Sequence, residues 1–268
     1  MSLSKSTVLK LEAIKGPSGP RELKSFREPD SVQDCKIMSD QDIGGYSTVQ
    51  MDWEKAKTAK DPPAYARFHG TISTQLPKNR PDVQRSGFAG WRTMDRPPTI
   101  FGKSLWDVDP YKYLALRVKS DGRAYFINLQ TESVIQTDLH QHRLFVKRPG
   151  EWETVLVKWS AFVRTNMGYV VEPQTEILRQ KIRSVGISLT DRIPGPYEVC
   201  IDRIWATNDA SEADGDRLVA AEKQEAAVAG KTEENVTTSL PSQTNEAAPV
   251  SEKKEGQLKT KSGKKISW

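Results

Sequence analysis

The sequence predicts an all-β domain, a two-sheet sandwich or jelly roll, on three observations. Short runs with period-two alternation recur at intervals of roughly 8 to 20 residues between Ser31 and Asn208. Within that block only "TEILRQKIRS", 175–184, reads as a helix. No GxGxxG follows a strand and no P-loop is present, which argues against a nucleotide-binding α/β fold.

Taken in order, "STVQMDW" alternates from Ser47, and "YARFHGTIS" spans 65–73 as a strand. "KYLALRVKSDGRAYFINLQTE" reads as two strands joined at Asp121-Gly122, a pair that favours a tight hairpin turn. "EWETVLVKW" alternates imperfectly. Trp152 and Trp159, seven apart, face opposite ways in a continuous strand, which makes one of them a candidate for exposure. "SVGISLTD" and "YEVCIDRIWAT" close the block. In the last, Val199, Ile201, Arg203 and Trp205 share one face, and Cys200, Asp202, Ile204 and Ala206 share the other. Neither face is purely polar, as expected of a strand covered on both sides.

Composition divides the chain. Residues 209–268 hold 9 Lys+Arg and 11 Asp+Glu, net −2, with no Phe or Tyr and one Trp at the end. Too little apolar surface is available there to offset the entropy of ordering, so a disordered charged tail is expected, with a transient helix over 216–229. Residues 1–208 hold 31 basic and 24 acidic residues, net +7. That excess suits acidic partners or an anionic surface, but it is not clustered as in nucleic-acid binders. The organisation expected is an N-terminal extension over 1–30, a β-sandwich over 31–208 and the tail over 209–268. Cys35 and Cys200 form no CxxC motif and are too sparse for a disulfide framework or a zinc site. No apolar run reaches the roughly 20 residues of a transmembrane helix. The N-terminus is basic and contains serines, but Glu12 and Glu22 interrupt it and it has no secretory core. It reads as a weak or trimmed mitochondrial import signal, with a cytosolic location as the alternative.

"RSGFAGWRT", 85–93, places two glycines in an aromatic run. Glycine weakens a strand interior unless space is needed, so Gly87 and Gly90 read as a bulge or close-packing device of a curved sheet. Gly44-Gly45 reads as a turn.

In order along the chain come "SDQDIGGYS" (39–47), "ARFHGTIS" (66–73), "RSGFAGWRT" (85–93), "SDGRAYFINLQT" (120–131) and "SVGISLTDRIPGPYEVCIDRIWA" (184–206). This series resembles the complex I intermediate-associated protein 30 family over about 175 residues. The resemblance implies a galactose-binding-like jelly roll and a role in assembling mitochondrial respiratory complex I, without catalysis or cofactor. It implies complex I subunits and other assembly factors as partners, in the matrix, with peripheral contact to the inner membrane. Signature positions are Ser39, Asp40, Gly44, Gly45 and Ser47; Phe68, Gly70 and Ser73; Gly87, Phe88, Ala89 and Arg92; Asp121, Gly122, Arg123 and Tyr125; Gly186, Asp191, Gly195 and Ile204. These are expected to be structural.

The remaining chemistry is sparse. His140 and His142 of "HQH" share a face if extended, a chelating spacing, but a metal site needs three or four ligands; a polar strand edge or loop is the plainer reading. His69 reads as a partly buried strand residue. Asp40, Asp42, Asp121, Glu132, Asp191 and Asp202 supply carboxylates for a glycosidase by count, yet turns account for most of them. No GxSxG elbow is present. Sugar binding is the rival reading, because Trp53, Trp91, Trp106, Trp152, Trp159 and Trp205 offer rings, although aromatics on alternating strands are more often core. The partner-binding candidates are Arg92, Arg123 and Arg183, with Arg203 beside them, whose planar forks pair well with carboxylates.

Overall fold

Alternating side chains put one face of each strand on a shared core, and the described residues use this to build two antiparallel sheets. The computed structural model describes residues 19–213 apart from 101, 134 and 136. The expected tail beyond Ala213, and the helix expected over 216–229, lie outside these residues. Sheet A contains β3 (Thr48–Lys55), β4 (Ala64–Ile72), β13 (Gly195–Thr207), β6 (Tyr113–Ser120) and β9 (Trp152–Lys158) in that order, and β1 (Arg21–Ser25) also pairs with β13. Sheet B runs β11 (Tyr169–Val170), β10 (Val163–Asn166), β8 (Asp138–Arg143), β7 (Tyr125–Thr131), β12 (Ile182–Leu189), β5 (Ala89–Thr93) and β2 (Cys35–Ser39). The two inner faces meet in one core: Leu114, Leu116 and Val118 of β6 lie against Ile127 and Leu129 of β7 and Val185, Ile187 and Leu189 of β12, all fully buried. Each such side chain contributes about 1.5–3 kcal/mol, as an upper estimate.

Five expectations change. Residues 175–184 form a short 3-10 turn, Arg179–Lys181, followed by the start of β12. Leu178 and Ile182, four apart as on one helix face, part company: Leu178 is exposed, and Ile182 opens a strand buried between neighbours. Asp121-Gly122 joins no hairpin. Both edges of β6 are already taken by β13 and β9, so the turn lifts the chain into sheet B. The alternation of β13 breaks at Asp202: Ile201 pairs with Val118 but Arg203 pairs with Arg117, an extra residue that shifts the phase. Ile204 and Ala206 therefore join Val199 and Ile201 in the core, while Trp205 is covered on the other face by Arg203, 4.1 Å from its ring. Trp152 and Trp159 are both buried, Trp152 against Tyr65 outside sheet A and Trp159 in the core. Finally, Arg21–Ser25, inside the stretch expected as an extension, pairs with Ala206–Arg203 where β4 has ended. At the other boundary Glu212 accepts hydrogen bonds from Trp205 Nε1 (2.6 Å) and Thr207 Oγ1 (2.9 Å).

Five connections between the sheets, β2 to β3, β4 to β5, β6 to β7, β8 to β9 and β12 to β13, gather at one end of the sandwich, and polar residues of the quoted motifs hold four of them. Asp40 is buried (2% exposed) and makes no ion pair among the described residues; its carboxylate accepts from Ser47 N (2.8 Å), Ser47 Oγ (2.7 Å), Ser86 Oγ (2.9 Å) and Gly87 N (2.7 Å). Ser47 Oγ in turn accepts from Ser73 N (3.0 Å), which ties in the end of β4. Ser39 caps the turn over Asp40–Ile43, which Gly44 ends in a left-handed conformation (φ 88°). A side chain on Gly45 would lie 2.4 Å from Asp40 Cγ, so only glycine fits there. Beside this network, Arg123 grips Asp191 through Nε (2.9 Å) and Nη2 (2.7 Å) and donates to the carbonyls of Ile193, Gly195 and Pro196. Asp121 accepts from Glu198 N (2.8 Å), Arg123 N (2.9 Å) and Tyr125 Oη (3.1 Å), binding the β6–β7 link to β13. Phe68 is core, and a side chain on Gly70 would meet the Thr48 carbonyl oxygen at 2.1 Å.

Burial alone raises the cost of ionising Asp40, but the hydrogen bonds from Ser47, Gly87 and Ser86 outweigh it and hold the carboxyl below its usual range. As pH falls below about 4, the unfolded chain takes up this proton before the fold does, so stability falls with pH. Asp40→Asn turns an amide donor toward donors and should cost about 2–3 kcal/mol at pH 7 in urea unfolding. Its stability curve below about pH 4 should also be shallower than the parent's.

In the sheet interior, a Cβ on Gly186 would sit 2.0 Å from the Trp91 carbonyl oxygen, whereas one on Gly90 would meet Ser188 Cβ at 3.1 Å. Gly186→Ala should therefore destabilise by about 3 kcal/mol or more and Gly90→Ala by about 1 kcal/mol, with Gly90→Val between them. Equal melting temperatures for Gly186→Ala and Gly90→Ala would contradict this packing argument.

Candidate functional site

The inner face of sheet B is core, and its strict alternation leaves a second set of side chains on the outer face. There Phe126, Asn128 and Gln130 of β7 stand beside Leu139, Gln141 and Arg143 of β8 and Ser184 and Ser188 of β12. They line a groove of about 900 Å³. Small residues at the centre, Gly90 on β5 opposite Ser188 on β12, keep its floor low.

Across the floor runs a ladder of side-chain hydrogen bonds. Thr165 Oγ1 donates to Gln141 Oε1 (2.8 Å), Gln141 Nε2 to Asn128 Oδ1 (2.7 Å) and Asn128 Nδ2 to Ser188 Oγ (2.8 Å). These polar groups are largely spent on each other, which fixes their rotamers across four strands. The walls are apolar: Met38, Phe88, Val163 and Met167, with Phe145 and Tyr169 exposed at the rim. Arg85 lies 5.8 Å from the Tyr169 ring and Arg143 5.4 Å from the Phe145 ring. The first contact joins the loop before β5 to the opposite edge strand, which the curl of the sheet brings together across the groove.

Arg92 lines the groove, but its guanidinium bonds the Thr93 carbonyl (3.0 Å) and Asp95 (3.2 Å). Arg183 pairs with the same Asp95. Arg123 is spent on Asp191 and the β12–β13 link, and Arg203 covers Trp205. The structure thus brings Arg92 and Arg183 together around Asp95 and keeps Arg123 apart from them. The groove arginines 85, 143 and 192 were not among the candidates. They sit at strand ends or in loops, where alternation says nothing about which way a side chain points.

His140 and His142 lie on β8, between β10 and β7, not at a sheet edge or in a loop. His140 is buried; burial holds both imidazoles below their ordinary range, so both are neutral at pH 7. Asp138 is taken by Arg164 (2.6 Å) and Asn166 (2.7 Å). Among the described residues no group of three or more His, Cys, Asp or Glu side chains is placed to hold a metal. His69 Nε2 meets Asp52 (2.7 Å) on the outer side of sheet A. Cys35 and Cys200 are buried free thiols, each pushed up to about 12 by burial, hence inert at neutral pH. No helix among the described residues is long and apolar enough to cross a membrane.

Comparison with known proteins bears on the whole of this fold. Family 11 carbohydrate-binding module of a cellulosomal cellulase of Clostridium thermocellum superposes with a TM-score of 0.49 at 16% identity, covering 71% of this chain and 95% of that one. The chain is 26% identical over 192 residues to a Mus musculus protein named complex I intermediate-associated protein 30, mitochondrial; the match covers 70% of this chain and 56% of the mouse protein. A Neurospora crassa protein of the same name is 58% identical over 222 residues, 77% of this chain and 80% of the relative. The family model for complex I intermediate-associated protein 30 matches residues 24–201, from β1 into β13, and so takes in Asp40, Arg123 and the groove. The chain belongs to the complex I intermediate-associated protein 30 family.

Proposed function

We propose that this protein is a non-catalytic assembly factor of mitochondrial respiratory complex I, one that holds partly assembled subunits. The observation that carries the reading is the 58% identity, across most of both chains, to a relative named for complex I intermediates and for the mitochondrion. The described residues agree with a holding role. Their best-organised polar constellation, around Asp40, is closed into the fold, and the groove that faces solvent has walls and charge but no carboxylate pair among its lining residues. The site of action in this reading is the matrix, with peripheral contact to the inner membrane, and the partners are complex I subunits and other assembly factors. No cofactor and no nucleic acid is required by it.

Carbohydrate binding is the second reading, favoured by a groove on the outer face of a β-sandwich with exposed Tyr169 and Phe145 at its rim. The two are separated in a deletion strain. On a native gel, assembled complex I should fall severalfold while the other respiratory complexes stay near normal, and the wild-type chain should restore it. Normal complex I in the deletion strain would sink the assembly role, and retention of the purified chain on a glycan column would then favour the second reading.

A further inference from the structure

We infer that the groove on sheet B is a docking site for an extended acidic peptide segment of a partner protein, with Arg85, Arg143 and Arg192 as its anion clamps. The inference rests on the assembly-factor reading for the existence of a protein partner, and on four observations for the chemistry of that partner.

The first is charge. Several arginines elsewhere in the described residues are ion-paired: Arg67 with Glu198 (2.6 Å), Arg123 with Asp191 (2.7 Å), Arg164 with Asp138 (2.6 Å) and Arg179 with Asp109 (2.9 Å). Arg85, Arg143 and Arg192 are exposed, line the groove and have no carboxylate partner among the described residues. Among the described residues no Asp or Glu lines the groove. Three uncompensated guanidiniums on one cleft are complementary to carboxylates.

The second is place. Arg143 ends β8 and pairs in register with Phe126, which also pairs with Ser188; Arg192 follows β12 just beyond. These two therefore stand at one end of the groove. Arg85 stands across its mouth, against Tyr169.

The third is the floor. The Thr165–Gln141–Asn128–Ser188 ladder is bonded within itself, so it solicits few hydroxyls from a ligand. Both rim rings already carry a guanidinium, which competes for the faces a sugar would stack upon. This chemistry suits side chains better than a glycan.

The fourth is shape. The ladder crosses β10, β8, β7 and β12, about 14 Å at roughly 4.8 Å per strand, the length of about four extended residues. Met38 and Met167 on the walls adapt to varied apolar side chains, as methionine-rich binding surfaces do. An extended peptide that alternates acidic and apolar residues meets both the clamps and the walls. A bilayer surface reaches the rim but not the recessed floor.

The test uses the full chain, immobilised, and a degenerate nonamer peptide library. At about 50 mM salt the bound pool should be enriched severalfold in Asp and Glu, and the enrichment should fall by about 300 mM salt, where screening is stronger. The R85Q/R143Q/R192Q variant should lose the enrichment and bind the selected peptide about tenfold more weakly, with a melting temperature close to the parent's. Val163→Glu, which puts a carboxylate on the groove wall, should weaken it as well. A pool without acidic enrichment, or equal binding by the triple variant, overturns the inference. So does sedimentation with phosphatidylcholine–cardiolipin vesicles that the triple variant loses while the peptide pool stays unenriched, since the arginines then serve a lipid. Acidic enrichment in a protein whose deletion spares complex I leaves the groove inference standing and removes the assembly role; the reverse pair of results does the opposite.

Discussion

The carboxylate of Asp40 is the constraint on which this sandwich depends. Two sheets pressed together by apolar burial have no intrinsic reason to stop sliding or rotating over each other, because the hydrophobic effect is nondirectional. Direction comes from hydrogen bonds at the end where the chain passes between sheets. Asp40 follows β2 of sheet B, Ser47 precedes β3 of sheet A, and Ser86 and Gly87 lead into β5 of sheet B. One anion thus sets three chain segments relative to each other, with neutral donors in place of a counter-ion. Charge-assisted hydrogen bonds of this kind are stronger than neutral ones, and burial keeps water from competing for them. The Arg123–Asp191 pair and the Asp121 turn lock the neighbouring crossings in the same way.

The groove inherits its form from that arrangement. Every residue of sheet B that faces the core has a neighbour facing out, so a core that demands Ile127, Leu129, Val185 and Ile187 also positions Phe126, Asn128, Ser184 and Gly186 on the outside. The close approach of Gly186 to the Trp91 carbonyl leaves no room for a side chain there, and the outer face is hollowed as a result. A structural requirement and a binding surface are thereby the two sides of one sheet. Gly87 and Asp191 fall at the crossing end of the sandwich, and the cations of the groove, Arg143 and Arg192, emerge at that same end.

Local chemistry legible in the sequence covered much of this. Period-two alternation marked β3, β4, β7 and β13, and Gly44-Gly45 and Asp121-Gly122 marked chain reversals. What misled was information of the wrong range. Asp121-Gly122 looks like a hairpin because a turn residue reports its own dihedral angles and not the partners of the strands it joins. The stretch 175–184 looks helical because Leu178 and Ile182 are four apart, although Ile182 is apolar for the sake of a buried strand. Asp202 is an acidic residue in an apolar run, and only the pairing of Ile201 with Val118 and Arg203 with Arg117 exposes it as a bulge.

By itself the sequence determined the all-β character, several of the turns and, through five short motifs in order, the family. Those are properties of neighbours along the chain, carried by dihedral preference and side-chain period. The tertiary structure alone decided that Asp40 gathers Ser47, Ser86 and Gly87, that Arg123 is spent on Asp191 while Arg85, Arg143 and Arg192 are not, and that sheet B is hollow on its outer face. Each of these joins residues far apart in the chain. Whether a charge is satisfied or free depends on what packs against it, which no local pattern records.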